Sequence, residues 1–203
     1  MDALLNPDKF FSERVGMGFR TPIMVVIAFA IVSALSANFV SQTIAEELVK
    51  RYGKEMETVI AVMGALAFIS AFLGSFLNWL IITAILYALS ALAGGKGSFS
   101  ALLKFTAFSF IPSIICSPVT SYLTIEAFKS MSLDAFLSLS IFSLALMLWQ
   151  YVYWVFAVKN ARNLSFGRAA AVSAVPVLVY AALSFYSLNM QIEGIKSLGM
   201  LRT

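Results

Sequence analysis

Residues 58–95 read TVIAVMGALAFISAFLGSFLNWLIITAILYALSALAGG, without a single Asp, Glu, Lys, Arg or His. An uninterrupted apolar run of this length cannot be a soluble core helix. A helix needs only about 20 apolar residues to cross a hydrocarbon core ~30 Å thick. Four further runs, 21–45, 105–125, 135–158 and 169–192, are equally free of charge. All 14 Lys and Arg and all 10 Asp and Glu fall between these runs or at the ends. The expectation is an all-α integral membrane bundle of five transmembrane helices. Its spans fall near 22–45, 58–93, 105–125, 135–158 and 169–190, in a single membrane domain covering 1–203.

The run 58–95 is too long for one minimal span, since as one helix it would exceed 50 Å at ~1.5 Å per residue. Splitting it near Gly74–Ser75 would give six spans and an inverted charge balance. Keeping it whole places Lys9, Arg14, Arg20, Lys96, Lys104, Lys159, Arg162 and Arg168 on one side with only Asp2, Asp8 and Glu13. The two internal breaks on that side, 94–104 and 159–168, contain no acid. The excess of Lys and Arg marks the cytoplasmic side. The N-terminus is therefore expected in the cytoplasm and the C-terminus outside. The surplus length would be taken up by tilt or by projection beyond the outer surface. There Glu46/Lys50 and Glu47/Arg51 are spaced as i,i+4 pairs, and Gly53 is the weak point of a helical hairpin. Small residues at 33–38 resemble a signal cleavage site, but the apolar run is too long and starts too late, so it reads as a retained span.

The same emptiness limits the chemistry. With no His and one Cys, Cys116, there is no Ser–His relay, thiolate cluster or histidine metal site. The charge-free spans also lack the groups of proton relays and ion-coupled pathways. Gly94-Gly95-Lys96-Gly97 lacks the spacing and the strand–loop–helix setting of a phosphate loop. Neither an enzyme nor a cofactor is expected. The pI near 9.3 reflects scattered basic residues rather than a stripe, which argues against nucleic acid. Asn163-Leu164-Ser165 matches a glycosylation acceptor but falls on the cytoplasmic side.

Within the spans, Ala30, Ala34, Ala37 and Ser41 form one small-residue stripe, and Gly64, Ala67, Ala71, Gly74, Ser75 and Asn78 form another. Close helix approach at such stripes drives packing where lipid removes the hydrophobic incentive. Pro112 and Pro118 break the third span and Pro176 the fifth, freeing carbonyls for which Ser109, Ser113, Ser117, Thr120 and Ser121 stand nearby. Asn78, Pro112, Pro118 and Gln150 are the candidate helix-packing or lipid and solute contacts. Lys96, Lys104, Lys159, Arg162 and Arg168 are candidate contacts for anionic lipid. Trp149, Tyr151, Tyr153, Trp154, Tyr122, Tyr180 and Tyr186 read as interfacial anchors. Residues 4–19 read as an interfacial helix, capped by Asn6 with Pro7 at its first position and Phe10 and Phe11 among the headgroups.

Asn6-Pro7-Asp8-Lys9-Phe10-Phe11, the loop Gly94-Gly95-Lys96-Gly97-Ser98-Phe99 with residues 102–112, and Trp154 followed by Gly167-Arg168-Ala169 and Pro176 resemble the Yip family of Ypt/Rab-interacting membrane proteins. The resemblance implies a non-enzymatic polytopic protein. In eukaryotic relatives it implies vesicle traffic through small GTPases. This sequence carries no long soluble region before its first span and no Asp-Leu-Tyr-Gly-Pro-like motif, so small-GTPase binding is not carried over. It is similar to short prokaryotic members, which implies a prokaryotic cell membrane. The expected role is a membrane scaffold or adaptor in membrane organisation or a trafficking-like process. Its expected partners are membrane lipids and either another membrane protein or a second copy. The alternative is a passive transporter, channel or lipid-handling protein with a path near the broken third span.

Overall fold

The computed structural model describes residues 6–53 and 57–197, apart from the side chains of residues 51, 52, 57, 59, 60, 191, 192 and 194–197. The expectations for Asp2, residues 4 and 5 and the Glu47/Arg51 pair therefore lie outside the described residues. Among the described residues the structure is helical: α1 (Pro7–Ser12), α2 (Arg20–Tyr52), α3 (Glu57–Leu92), α4 (Phe99–Thr106), a 3₁₀ turn (Ala107–Phe110), α5 (Ile111–Ser130), α6 (Leu133–Arg162) and α7 (Phe166–Ser197). Five helical stretches are long and apolar enough to cross a membrane, one of them formed by α4, the 3₁₀ turn and α5 together.

The run 58–95 forms one unbroken helix over most of its length, and α3 ends at Leu92 in a Schellman turn. Gly94 adopts φ +88° there, a left-handed conformation that glycine enters without penalty. Its N–H donates to the Ala91 carbonyl at 3.0 Å, and the Gly95 N–H donates to the Ser90 carbonyl at 2.8 Å. At the other end of the bundle Gly53, at φ +92°, terminates α2. Lys50 pairs there with Glu47 at 3.8 Å rather than with Glu46 as the i,i+4 spacing suggested.

Helix α2 packs chiefly on α3 and α5, α5 on α6, and α6 on α7. The small-residue stripes divide. Ala30 and Ala34 are fully buried, and a Cβ on Gly64 would touch Ser41 Oγ at 3.6 Å. Nothing lies within 4 Å of a Cβ built on Gly74, and Asn78 is exposed.

The largest buried cluster lies at the end of the bundle that carries α1, which we call the α1 face. It joins Phe10 and Phe11 to Leu86, Leu102, Phe105, Phe108, Tyr153, Trp154, Val158 and Ala161. This corrects two expectations. Phe10 and Phe11 do not sit among headgroups: Phe10 meets Phe108 edge to face and Phe11 packs against Phe105 at a tilt, with ring centroids 4.8 and 4.7 Å apart. Tyr153 and Trp154 are core residues rather than interfacial anchors, whereas Trp149, Tyr122 and Tyr186 are exposed. The physical reason is α1 itself, which folds back over the ends of the spanning helices and shields those rings.

Candidate functional site

At the α1 face, four short segments converge on the end of α6. Asn6 Oδ1 accepts from the Lys9 N–H at 3.1 Å and starts α1, with Pro7 in the first turn, where its missing donor costs nothing. That places Asp8 against α6, where its carboxylate accepts from Lys159 Nζ at 2.7 and 2.8 Å and from Asn160 Nδ2 at 3.0 Å. The Lys159 ammonium holds the Asp8 carboxyl below its ordinary range, helped by Asn160 and opposed by partial desolvation. Lys104 Nζ donates to the Met17 carbonyl at 2.7 Å and ties the segment after α1 to α4.

Arg162, the last residue of α6, is only 3% exposed. Its Nε donates to Ser90 Oγ at 2.9 Å, one Nη donates to the Gly95 carbonyl at 2.7 Å, and its Cζ lies 4.2 Å from the centre of the Tyr87 ring. In return the Arg162 carbonyl accepts from the Lys96 N–H at 3.0 Å. No carboxylate pairs with this guanidinium among the described residues. Its charge is met by the carbonyl end of α6, by Gly95 and by an aromatic face. Gly97 lets the loop press on α6, because a Cβ there would stand 1.6 Å from the Ala161 carbonyl oxygen. A headgroup contact for Arg162 thus gives way to an internal clamp. Lys104 and Lys159 are likewise engaged by protein groups, whereas Lys96 and Arg168 are exposed.

Deeper in the bundle a groove of about 510 Å³ opens between α3, α5, α6 and α7. It brings Asn78 and Gln150 together with Ser113, Thr120 and Pro176. Gln150 Nε2 donates to Ser113 Oγ at 2.5 Å, joining α6 to the proline-broken helix. Asn78 forms no hydrogen bond among the described residues, so it does not act as the expected interhelical tie. Pro112 and Pro118 do not line this groove. Pro112 is buried in the first turn of α5, and Pro118 lies inside α5 beside Ser117, which pairs with Ser36 of α2 at 2.5 Å. Thr120 also borders a second groove of about 500 Å³ between α2, α3 and α5. A third, of about 350 Å³ between α6 and α7, shares Ser143, Tyr180 and Leu183 with the first.

Two features escaped the sequence reading. Trp79 Nε1 donates to the Leu103 carbonyl at 2.9 Å, and Thr83 and Thr106 share a bond at 2.6 Å, knitting α3 to α4. The trace of this in the sequence is two threonines buried in apolar surroundings. Trp154 stands in the groove wall with its Nε1 buried and unpartnered. Among the described residues no three His, Cys, Asp or Glu side chains gather where a metal could bind.

Comparison with known proteins agrees with this architecture. The family model described as the Yip1 domain matches residues 1–188. A protein of Methanocaldococcus jannaschii described as uncharacterized is 33% identical over 122 residues, covering 59% of this chain and 84% of that relative. No solved structure matches the chain. With five membrane-crossing helical stretches and a family match over almost its whole length, the chain is a multi-pass integral membrane protein that belongs to the Yip1 family.

Proposed function

We propose that this protein is a non-catalytic membrane scaffold that uses the α1 face as a rigid platform for a membrane-protein partner or a second copy. The observation that carries the reading is the use of its charged side chains. Asp8, Lys104, Lys159 and Arg162 are spent on holding segments together rather than gathered around a cavity. In this reading the α1 face is cytoplasmic, on the basic excess of its loops, and the membrane is a prokaryotic cell membrane. Lys96 and Arg168, exposed on this face, are the residues available to anionic headgroups.

Site-specific photocrosslinking from Lys96 or Arg168 in native membranes tests the reading. One reproducible partner band is expected, or a dimer of this chain, and it should vanish when α1 is detached by Asp8→Lys. Diffuse labelling identical to that of an unrelated membrane protein would overturn it.

A second reading, lipid handling, is favoured by the groove that reaches Asn78 and Gln150. Its rim residues Ile81, Val179 and Leu183 are more than half exposed, so it opens sideways toward lipid rather than toward either aqueous face. Among the described residues no charged side chain lines it, which disfavours ion coupling. Reconstituted vesicles should show lipid movement that Asn78→Leu reduces; the absence of movement for every lipid tried would remove this reading.

A further inference from the structure

The groove of about 350 Å³ between α6 and α7 has a hydroxyl-bearing floor, with Ser140 and Ser143 on one helix and Tyr180, Ser184 and Ser187 on the other. Elsewhere in the spans hydroxyls satisfy themselves. Ser75, Thr120 and Thr124 each donate to the carbonyl four residues back, at 2.7, 3.1 and 2.8 Å. Ser140, Ser143 and Ser184 form no such bond, nor any other hydrogen bond among the described residues. All three are half-buried, yet their hydroxyls are not sealed. Among the described residues the sealed, unpartnered hydroxyls are those of Tyr153 and Ser173, which do not line this groove.

The floor also has a direction. Ser143 and Tyr180 line the deeper groove as well, where Gln150 is tied to Ser113. Gln150 follows Ser140 by ten residues on α6, about 15 Å along the axis, or half of a hydrocarbon core ~30 Å thick. Beyond Gln150 the buried Tyr153, Trp154 and Val158 close the bundle toward the α1 face. The polar line therefore runs from the end away from α1 to mid-membrane and stops. Its rim is apolar and open, with Ile141 and Leu183 66% and 63% exposed.

Hydrocarbon against this floor would leave each hydroxyl unpaired, which is costly in apolar surroundings. A dissolved solute would need a wall on the lipid side, where the rim stands open. An amphiphile meets both conditions, with its hydrated head against the hydroxyls and its chains in the bilayer past Ile141 and Leu183. We infer that the α6–α7 groove is a hydrated track for the oxygen-rich polar head of a bilayer lipid. The head is admitted from the leaflet away from α1 as far as Gln150, and the serine hydroxyls donate to its oxygens. This rests on the lipid-handling reading of the adjoining groove, and adds which part of the lipid enters and from which leaflet.

The test uses single-cysteine forms of the full-length protein, made with Cys116→Ala, in vesicles of phosphatidylethanolamine and phosphatidylglycerol. A membrane-impermeant methanethiosulfonate added from the face away from α1 should modify Ser143→Cys and Ser184→Cys at least fivefold faster than Ile141→Cys. Ile141 lies between Ser140 and Ser143 in depth but outside the groove. A phosphatidylethanolamine with a diazirine on its head should label peptides holding Ser143 and Ser184, and one with the diazirine at its chain terminus should not. Ser143→Leu combined with Ser184→Leu fills the track. It should cut both the head label and transbilayer lipid movement several-fold while the unfolding temperature stays close to that of the unaltered protein. Should that variant misfold, the near-isosteric cysteine forms carry the test, because their modification should block the head label in the same way.

Equally slow modification of all three cysteines would overturn the hydrated track. Fast modification without head label would overturn the lipid head and leave a crevice filled with water. Head label in the track without lipid movement would uphold the site and remove the lipid-handling reading. Movement that persists undiminished with the track filled would keep that reading and overturn the track as its path.

Discussion

The two ends of this bundle are built on different principles. At the α1 face, short-range polar contacts and an aromatic cluster lock five segments together, and nearly all of the larger buried cluster lies there. Farther from that face, among the described residues, the long helices leave grooves between them whose walls carry Asn78, Gln150, Ser143 and Thr120. Apolar side chains gain little in lipid by facing one another, so a membrane helix bundle closes only where side-chain geometry or hydrogen bonds make it close. The α1 face has both. The grooved region has few interhelical bonds, chiefly Ser36–Ser117 and Gln150–Ser113, and stays partly open.

The sharpest way to break this contrast is a methyl group. Gly97→Ala puts a Cβ where the Ala161 carbonyl oxygen stands, so the loop must leave α6. Thermal unfolding in detergent should drop by more than about 10 °C, if the variant accumulates at all, as expected for a steric clash of several kcal/mol. Gly74→Ala, facing open space, should be neutral or stabilising by roughly 0.5–1 kcal/mol through helix propensity. Similar losses from both would mean that the two regions are equally tight.

Arg162 comes next. Arg162→Met removes a buried guanidinium and leaves Ser90 Oγ and the Gly95 carbonyl without it, at a cost of about 2–4 kcal/mol. Arg162→Lys should recover less than half, because an ammonium cannot reproduce the planar fork or the stacking on Tyr87. Full rescue by Lys, read from denaturation curves, would show that charge alone matters there.

A smaller effect concerns α1 and has a definite sign in pH. Asp8 has its carboxyl lowered in the folded protein, so its contribution is present above the ordinary Asp pKa, about 3.9. It fades as pH falls through the lower folded value. Hydrogen exchange over residues 7–12 should therefore quicken below about pH 4 relative to α3, after correction for the intrinsic rate, and Asp8→Asn should show the quickened exchange at neutral pH. An α1 whose exchange ignores both changes would be held by Phe10 and Phe11 alone.

The smallest effects belong to the grooves. Gln150→Leu breaks the bond to Ser113 and should cost roughly 0.6–1.5 kcal/mol, as interhelical bonds in membranes do. Asn78→Leu removes an amide with no partner and should leave stability unchanged or raise it slightly. Measured side by side in unfolding experiments, these two variants separate a packing amide from one kept for something else.

Asn78 and Gln150 were visible beforehand as amides in apolar runs, yet nothing in their spacing said which would be tied and which free. The two stand on different helices, and only the crossing of α3 and α6 against α5 decides it. Phe10 and Phe11 misled for a similar reason. A short amphipathic stretch beside a membrane reads as lipid-facing unless the protein itself supplies the apolar surface, as Phe105 and Phe108 do here. The basic residues of the loops were legible as a cluster on one side. Their division into clamps, Lys104, Lys159 and Arg162, and free cations, Lys96 and Arg168, was not.

What the sequence determined by itself was the number of membrane-crossing helices and the absence of charge within them. Both follow from transfer free energies that each residue carries wherever it is placed. It also determined where the helices start and stop, because Asn6, Ser98 and Ser132 cap and Gly53 and Gly94 end them through local geometry. The tertiary structure decided how tightly each end of the bundle closes and which polar groups find partners. Those outcomes depend on contacts between residues 23 to 152 positions apart, such as Thr83 with Thr106, Arg162 with Ser90 and Asp8 with Lys159 and Asn160, and no local preference encodes them.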